Sequence, residues 1–152
     1  MSDPARLWDR TQVVGECLLW TGSVGSHGYG QISFDGRMRT THRLAYELTC
    51  GPIPAGLLVD HICRVKTCIR IDHLRLATKK QNAENIALHG RGSSGVRGVK
   101  WDASRNKWAA SLCHHGRTIN LGRYSSIAEA AEAVRVARLN TFTHNETDRK
   151  QA

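Results

Sequence analysis

The stretch that decides the fold is Asp60-His61-Ile62-Cys63-Arg64-Val65-Lys66-Thr67-Cys68-Ile69-Arg70-Ile71-Asp72-His73-Leu74. Cys63, Cys68 and His73 recur at intervals of five residues, a spacing that lets one loop fold around a single ion. Structural zinc takes four thiolate or imidazole ligands in a tetrahedron, so a fourth ligand is required. Cys17 fills that place if the strand carrying it packs beside the loop. The alternative is three buried thiols and a surface histidine, and a Cys-x4-Cys spacing alone would not decide between the two. Ahead of the loop, Leu57-Leu58-Val59 reads as a short strand that delivers Asp60 and His61. After it, Thr78 is placed to cap a helix from about Lys79 to His89, closed by Gly90.

Upstream, the apolar run Cys17-Leu18-Leu19-Trp20 leads into a Gly/Ser-rich loop through Gly30. Gln31–Phe34 and Arg37–Thr41 read as two strands joined at Asp35-Gly36, a strong hairpin signal. Arg43–Cys50 has helical composition and stops at Gly51-Pro52. Downstream, Gly90-Arg91-Gly92-Ser93-Ser94-Gly95 reads as a linker. Beyond it, Gly98–Trp101, Lys107–Cys113 and Arg117–Gly122 are three strand candidates, and the alanine-rich Ile127–Leu139 follows as a helix.

The 152 residues carry 22 Lys plus Arg against 13 Asp plus Glu, a net charge of +9. Residues 1–92 hold 12 basic and 8 acidic side chains and residues 93–152 hold 10 and 5, so both halves are positive. Such a surplus favours a polyanion as partner, nucleic acid before anionic membrane. No apolar run reaches the roughly 18 residues of a membrane span, and the first residues lack a secretory pattern. An intracellular, cytoplasmic protein with no membrane partner is expected. Five cysteines make an odd count, which disfavours a disulfide framework and favours metal ligation or burial. Cys50 and Cys113 are expected to be buried thiols. His27, His42, His89 and His144 lack spacing partners and are expected at the surface.

The Asp60–Leu74 stretch resembles the ββα-metal (His-Me finger) nucleases, in particular His-Cys box homing endonucleases and phage-type HNH proteins. Their pattern, (D/S)-H-x-C-x-N-x-x-C-x-N-P-x-H-L with an asparagine eight residues later, is matched by His61, Cys63, Cys68, His73, Leu74 and Asn82. Cys17-Leu-Leu-Trp-Thr-Gly, Gly28-Tyr-Gly, His42-Arg-Leu-Ala-Tyr-Glu and Gly51-Pro-Ile-Pro add to the resemblance, which covers roughly residues 15 to 90. It implies that His61 is the general base that deprotonates the attacking water. It further implies that Asn82 binds a divalent ion such as Mg²⁺, with Asp60 a possible second ligand, and that Arg43 steadies the phosphate. A solvated arginine at a helix start is the alternative for Arg43. Cys17, Cys63, Cys68 and His73 would hold the structural Zn²⁺; a rival assignment, from the wider HNH group, makes His73 a ligand of the catalytic metal. The motif's two asparagines and its proline are Val65, Arg70 and Ile71 here, which opens a degenerate, inactive nuclease as an option.

Residues 95–142 resemble the DNA-binding domain of plant APETALA and ethylene-response-factor proteins. Gly95-Val-Arg97-Gly-Val-Lys100-Trp101, Lys107-Trp108-Ala-Ala, Leu121-Gly-Arg123-Tyr124 and Ile127-Ala-Glu-Ala-Ala carry the likeness. It implies a three-stranded sheet in the DNA major groove, with Arg97, Lys100, Trp101, Lys107, Trp108, Arg117 and Arg123 facing the duplex. Core aromatics are the alternative for Trp101 and Trp108.

The expected fold class is α+β. A ββα-metal nuclease domain with structural zinc spans residues 1–89, followed by a Gly/Ser linker at 90–95. A small three-stranded antiparallel sheet packed on one helix spans 96–145, and a polar tail 146–152. The expected function is site-recognising hydrolysis of double-stranded DNA. One site in a monomer would nick; a double-strand break would need a homodimer or two events. A non-catalytic DNA-binding regulator on the same zinc fold is the alternative.

Overall fold

The computed structural model describes residues 3–85 and 93–149. The chain divides into two compact units, Met1–Lys79 and Lys80–Ala152. Among the described residues the strand pairs are antiparallel.

The first unit opens with helix α1 (Ala5–Trp8) and the hairpin of β1 (Thr11–Val14) and β2 (Cys17–Trp20). Strands β3 (Gln31–Phe34) and β4 (Arg37–Thr40) follow, joined by Asp35 and Gly36 at φ 47° and 73°. Two consecutive positive φ values make the tight turn that the right-handed twist of a hairpin favours. Helix α2 (Thr41–Cys50) continues directly from β4 and buries Thr41, His42, Leu44 and Ala45 along one face. It ends at Gly51, whose φ of 95° few other residues adopt. Strand β5 (Leu58–His61) pairs with β6 (Leu74–Ala77), with the cysteine loop and a 3-10 turn at Ile71–His73 between them. The core joins Leu7, Trp20, Ile32, Leu44, Ala45 and Ile69, so α1, two hairpins, α2 and the cysteine loop share one apolar cluster. Gly30 makes this packing possible: a Cβ there would lie 2.4 Å from Thr41 Oγ1 and 2.7 Å from Trp20 Cδ1.

Helix α3 (Lys79–Glu84) begins at the division and lies almost wholly in the second unit. The expected continuation of this helix to His89 and Gly90 falls outside the described residues. Strands β7 (Val99–Asp102), β8 (Lys107–His114) and β9 (Arg117–Tyr124) form one sheet in the order β7-β8-β9. Helix α4 (Ile127–Thr141) is set by a reciprocal cap, in which Ser126 Oγ accepts from Glu129 N–H and the Glu129 carboxylate accepts from Ser126 N–H. Val99 and Ala110 of the sheet and Ala130 and Val134 of α4 make the second core.

Three expectations change here. Ser94, assigned to the linker, donates from Oγ to the Val99 carbonyl at 2.6 Å and accepts from Val96 N–H at 3.1 Å, so it belongs to the folded sheet. The expected polar tail contains α5 (Glu146–Arg149), whose Asp148 is fully buried against Arg138 at 2.7 Å. Cys50 and Cys113 are exposed, not buried. Cys50 ends α2 beyond its buried face, and Cys113 follows the buried Leu112 on a strand whose side chains alternate. Among the described residues no helix is long and apolar enough to cross a membrane.

Candidate metal centre and nuclease site

Cys17 opens β2, Cys63 and Cys68 lie on the loop after β5, and His73 ends the 3-10 turn before β6. Their ligand atoms all lie within 4.8 Å of one another. Cys17 Sγ is 3.6 Å and Cys68 Sγ 3.7 Å from His73 Nδ1. Zinc bonds of about 2.3 Å to sulfur and 2.0 Å to nitrogen place tetrahedral ligands roughly 3.5–3.8 Å apart, so these four residues fit that ion. The condition placed on Cys17 is met by backbone pairing: Leu19 bridges Cys68, and Ile69 N–H donates to Leu18 O at 2.8 Å. Burial pushes the Cys63 thiol up to about 12, and burial together with Cys68 raises that of Cys17. Crowded thiols resist ionisation unless a cation compensates the charge, which is the state a thiolate-binding metal supplies.

The departures from the nuclease pattern do not unmake the loop. Cys68 N–H donates to Val65 O at 3.0 Å, and His73 N–H to Arg70 O at 3.0 Å. Arg70 Nη1 also reaches the Glu16 carbonyl at 2.7 Å, tying the loop to the residue before Cys17. Backbone turns and one arginine hold the loop's shape without the motif's asparagines.

His61 ends β5, 5% exposed, with Nε2 3.0 Å from the Cys68 carbonyl. A carbonyl only accepts, so Nε2 carries the proton and the lone pair resides on Nδ1. Burial lowers the His61 pKa against the opposing pull of the Cys68 carbonyl and Asp60, which keeps the ring neutral near pH 7. His42, expected at the surface, is 5% exposed and stands 4.7 Å from His61 between ring centroids. Tyr29 completes the cluster, 5.1 Å from His42 and 6.0 Å from His61. Burial, then His61 and Arg43, holds the His42 pKa down to about 3. His42 Nδ1 is buried with no hydrogen-bond partner among the described residues. Sequence reasoning missed His42 and Tyr29 as site residues; His42 sits at the second position of α2, where the helix's buried face begins.

Arg43 is exposed one residue further along α2. Asp60 is 6% exposed, and its Oδ2 accepts from Arg75 Nε at 3.1 Å across the β5–β6 pair. That oxygen is committed to an arginine, so Asp60 could serve as the second metal ligand beside Asn82 only after exchanging that partner. Asn82 is half-buried on α3 and offers a hard amide oxygen, a donor type that fits Mg²⁺.

In the second unit the open face of the sheet forms a concavity of about 440 Å³ whose lining includes Lys100, Asp102, Ser111, Thr118, Asn120 and Arg123. Arg123 Nε pairs with Asp102 there at 2.7 Å, and the Ser104 hydroxyl and Arg123 hold the Asp102 carboxyl well below the usual carboxylate range. Lys107 and Arg117 are exposed. Trp101 and Trp108 are cross-strand partners in edge contact at 5.0 Å, Trp108 packing on the helix-side core and Trp101 41% exposed. Arg97 is turned away from the expected face: its Nη1 donates to the Ala83 carbonyl of α3 at 3.2 Å.

Comparison with known proteins finds relatives in Escherichia phage T7. The chain is 45% identical over 80 residues to Protein 7.7 of Escherichia phage T7, a match covering 53% of this chain and 62% of that protein. It is 33% identical over 79 residues to Protein 3.8 of the same phage, covering 52% and 65%. It is 28% identical over 95 residues to that phage's Protein 2.8, covering 60% and 65%. The chain thus spans less than two thirds of the length of these relatives. No solved structure matches it. Residues 39–84, from the end of β4 through α2, the cysteine loop and the β5–β6 pair to α3, match the family model described as HNH endonuclease.

Proposed function

We propose that the protein is a metal-dependent DNA endonuclease that hydrolyses a phosphodiester of double-stranded DNA inside the cell. The observation that carries this reading is the link between the Cys3His cluster and His61. Cys68 contributes its sulfur to the cluster and its carbonyl to His61 Nε2, so the cluster fixes both the tautomer and the direction of the ring. His61 Nδ1 takes the proton of the attacking water, and its depressed pKa keeps it unprotonated for that task. Arg43, exposed beside His42, reaches for the scissile phosphate. Asn82 would hold the catalytic ion, Mg²⁺ by its donor chemistry, with Asp60 a second donor once Arg75 releases it; such an ion stabilises charge on the leaving oxygen. Cys17, Cys63, Cys68 and His73 together hold structural Zn²⁺.

The nuclease reading takes residues 1–89 as the catalytic domain and 96–145 as an APETALA-type DNA reader of a homing-endonuclease-like enzyme. Lys100, Lys107, Arg117 and Arg123 are the DNA-facing set, with Trp101 at its edge. Each lysine or arginine neutralising a phosphate adds about 0.9 to the slope of log affinity against log salt. Lys100→Ala and Arg117→Ala should each flatten that slope, measured by duplex binding across a salt series.

The deciding experiment incubates supercoiled plasmid with zinc-loaded protein and Mg²⁺. Wild type is expected to nick it, and His61→Ala to lose about 10²–10⁴-fold in rate. Asn82→Ala should demand more metal. A wild-type protein that binds duplex but leaves the plasmid intact would show the non-catalytic regulator instead; cleavage surviving in His61→Ala would remove the base from His61.

A further inference from the structure

Helix α3 carries more than Asn82. Glu84, two residues on, is 3% exposed. Its Oε2 accepts from the backbone N–H of Thr143 at 2.9 Å and of His144 at 3.1 Å, and from the Thr143 hydroxyl at 3.3 Å. Its Oε1 faces Lys80 Nζ at 2.7 Å, one helical turn back. A second tie is the Arg97 bond to the Ala83 carbonyl. Three donors to one buried carboxylate oxygen make a directional clasp, stronger than neutral pairs.

Successive helix residues are about 100° apart, so Asn82 and Glu84 project roughly 200° apart, to opposite sides. The Glu84 side of α3 is spent on residues 143 and 144, just past the end of α4. Asn82, half-buried, projects away from that clasp. A six-residue helix has little rigidity of its own, so its orientation comes from whatever grips it.

We propose that Glu84 is a positioning residue for Asn82. By clasping the Thr143–His144 backbone it fixes the rotation of α3 and so the direction of the Asn82 amide. The proposal rests on the metal role given to Asn82. Ending the chain at Gly92 would remove the clasp and cost metal binding.

The test uses the full zinc-loaded chain with duplex DNA and follows Mn²⁺ uptake by electron paramagnetic resonance, in wild type, Asn82→Ala, Glu84→Ala and the double variant. Glu84→Ala should weaken Mn²⁺ binding about 10- to 100-fold, the effect of removing a partner outside the ligand shell. The double variant should bind no more weakly than Asn82→Ala alone. Zinc content and duplex affinity should stay at wild-type values, which a merely structural loss would change. Unchanged Mn²⁺ affinity in Glu84→Ala, or a weakening that persists without Asn82, overturns the proposal. If Glu84→Ala does not fold, Glu84→Asp keeps the charge but shortens the reach, and carries the same expectation and the same overturning result. Mn²⁺ weakening without any plasmid nicking would leave the clasp standing and remove the nuclease reading; equal Mn²⁺ binding by wild type and Asn82→Ala would remove Asn82's role and the clasp together.

Discussion

At the scale of single residues, His42 gives the protein an acid limit. Above its ordinary pKa of about 6.5 the imidazole is neutral in folded and unfolded chains alike and contributes nothing to pH dependence. Below that pH the unfolded chain takes up a proton that the folded one, with a pKa near 3, refuses. Stability is therefore lost as pH falls from about 6.5 towards 3, by up to about 1.4 kcal/mol per unit. His42→Phe keeps an aromatic ring in the Tyr29–His61 cluster and lacks this proton. Its urea midpoint, relative to wild type, should rise as pH drops from about 7 to 5, and because metal release affects both proteins, the difference isolates His42. The grouping of Cys17, Cys63, Cys68 and His73 was legible in the sequence because ligand chemistry restricts residue type and spacing together. His42 was not, because its partner His61 is 19 positions away and only the packing of α2 brings the rings together. Glu84 was equally silent: its partners are backbone groups 59 and 60 positions away, which no side-chain pattern announces.

At the scale of elements, the sequence predicted the hairpins with the clearest turn chemistry or alternation and missed the strands β1 and β6. Asp35-Gly36 announced β3–β4, and the three strands of the C-terminal sheet were expected almost to the residue. Strand β1 escaped because Val13 and Val14 are 73% and 50% exposed, so the stretch has no alternating buried face to reveal it. Strand β6 escaped because its burial does not alternate, though Leu74 to Ala77 pairs along its whole length with β5. In the second unit the close approach of sheet and helix depends on Gly98. Its φ is 90°, and a Cβ would lie 2.5 Å from the Ser111 carbonyl oxygen and 3.0 Å from Val134. Gly98→Ala should cost at least about 1 kcal/mol, read from thermal unfolding. Gly116, at φ 73° in the β8–β9 turn, has open space around it. Gly116→Asn should therefore be nearly neutral, since asparagine tolerates that backbone region.

At the scale of the whole molecule, the two units are stabilised by different means. The first shares its apolar cluster with a loop whose four Cys and His side chains could hold a metal ion, while the second is built on a sheet, a capped helix and the buried Arg138–Asp148 pair. Chelation, or Cys68→Ser, should abolish the cooperative unfolding of the first unit, because binding and folding free energy are then the same quantity. The sheet unit should keep its own transition, and calorimetry with and without chelator distinguishes the two. The same treatment should end nicking, since His61 would lose the Cys68 carbonyl that aims it.

The reach of the metal cluster along the chain also has a consequence in time. Cys17 and His73 are 56 positions apart, and both belong to the one group of four. During synthesis the β1–β2 hairpin can form early, but its cysteine must wait until the ribosome has released the chain past His73 before the tetrahedral set exists. For that interval the nascent protein presents Cys17, and later Cys63 and Cys68, as thiols without the complete group, open to oxidation or to capture by the wrong ion. The order in which residues emerge thus sets a window of chemical vulnerability that closes only when the last ligand arrives.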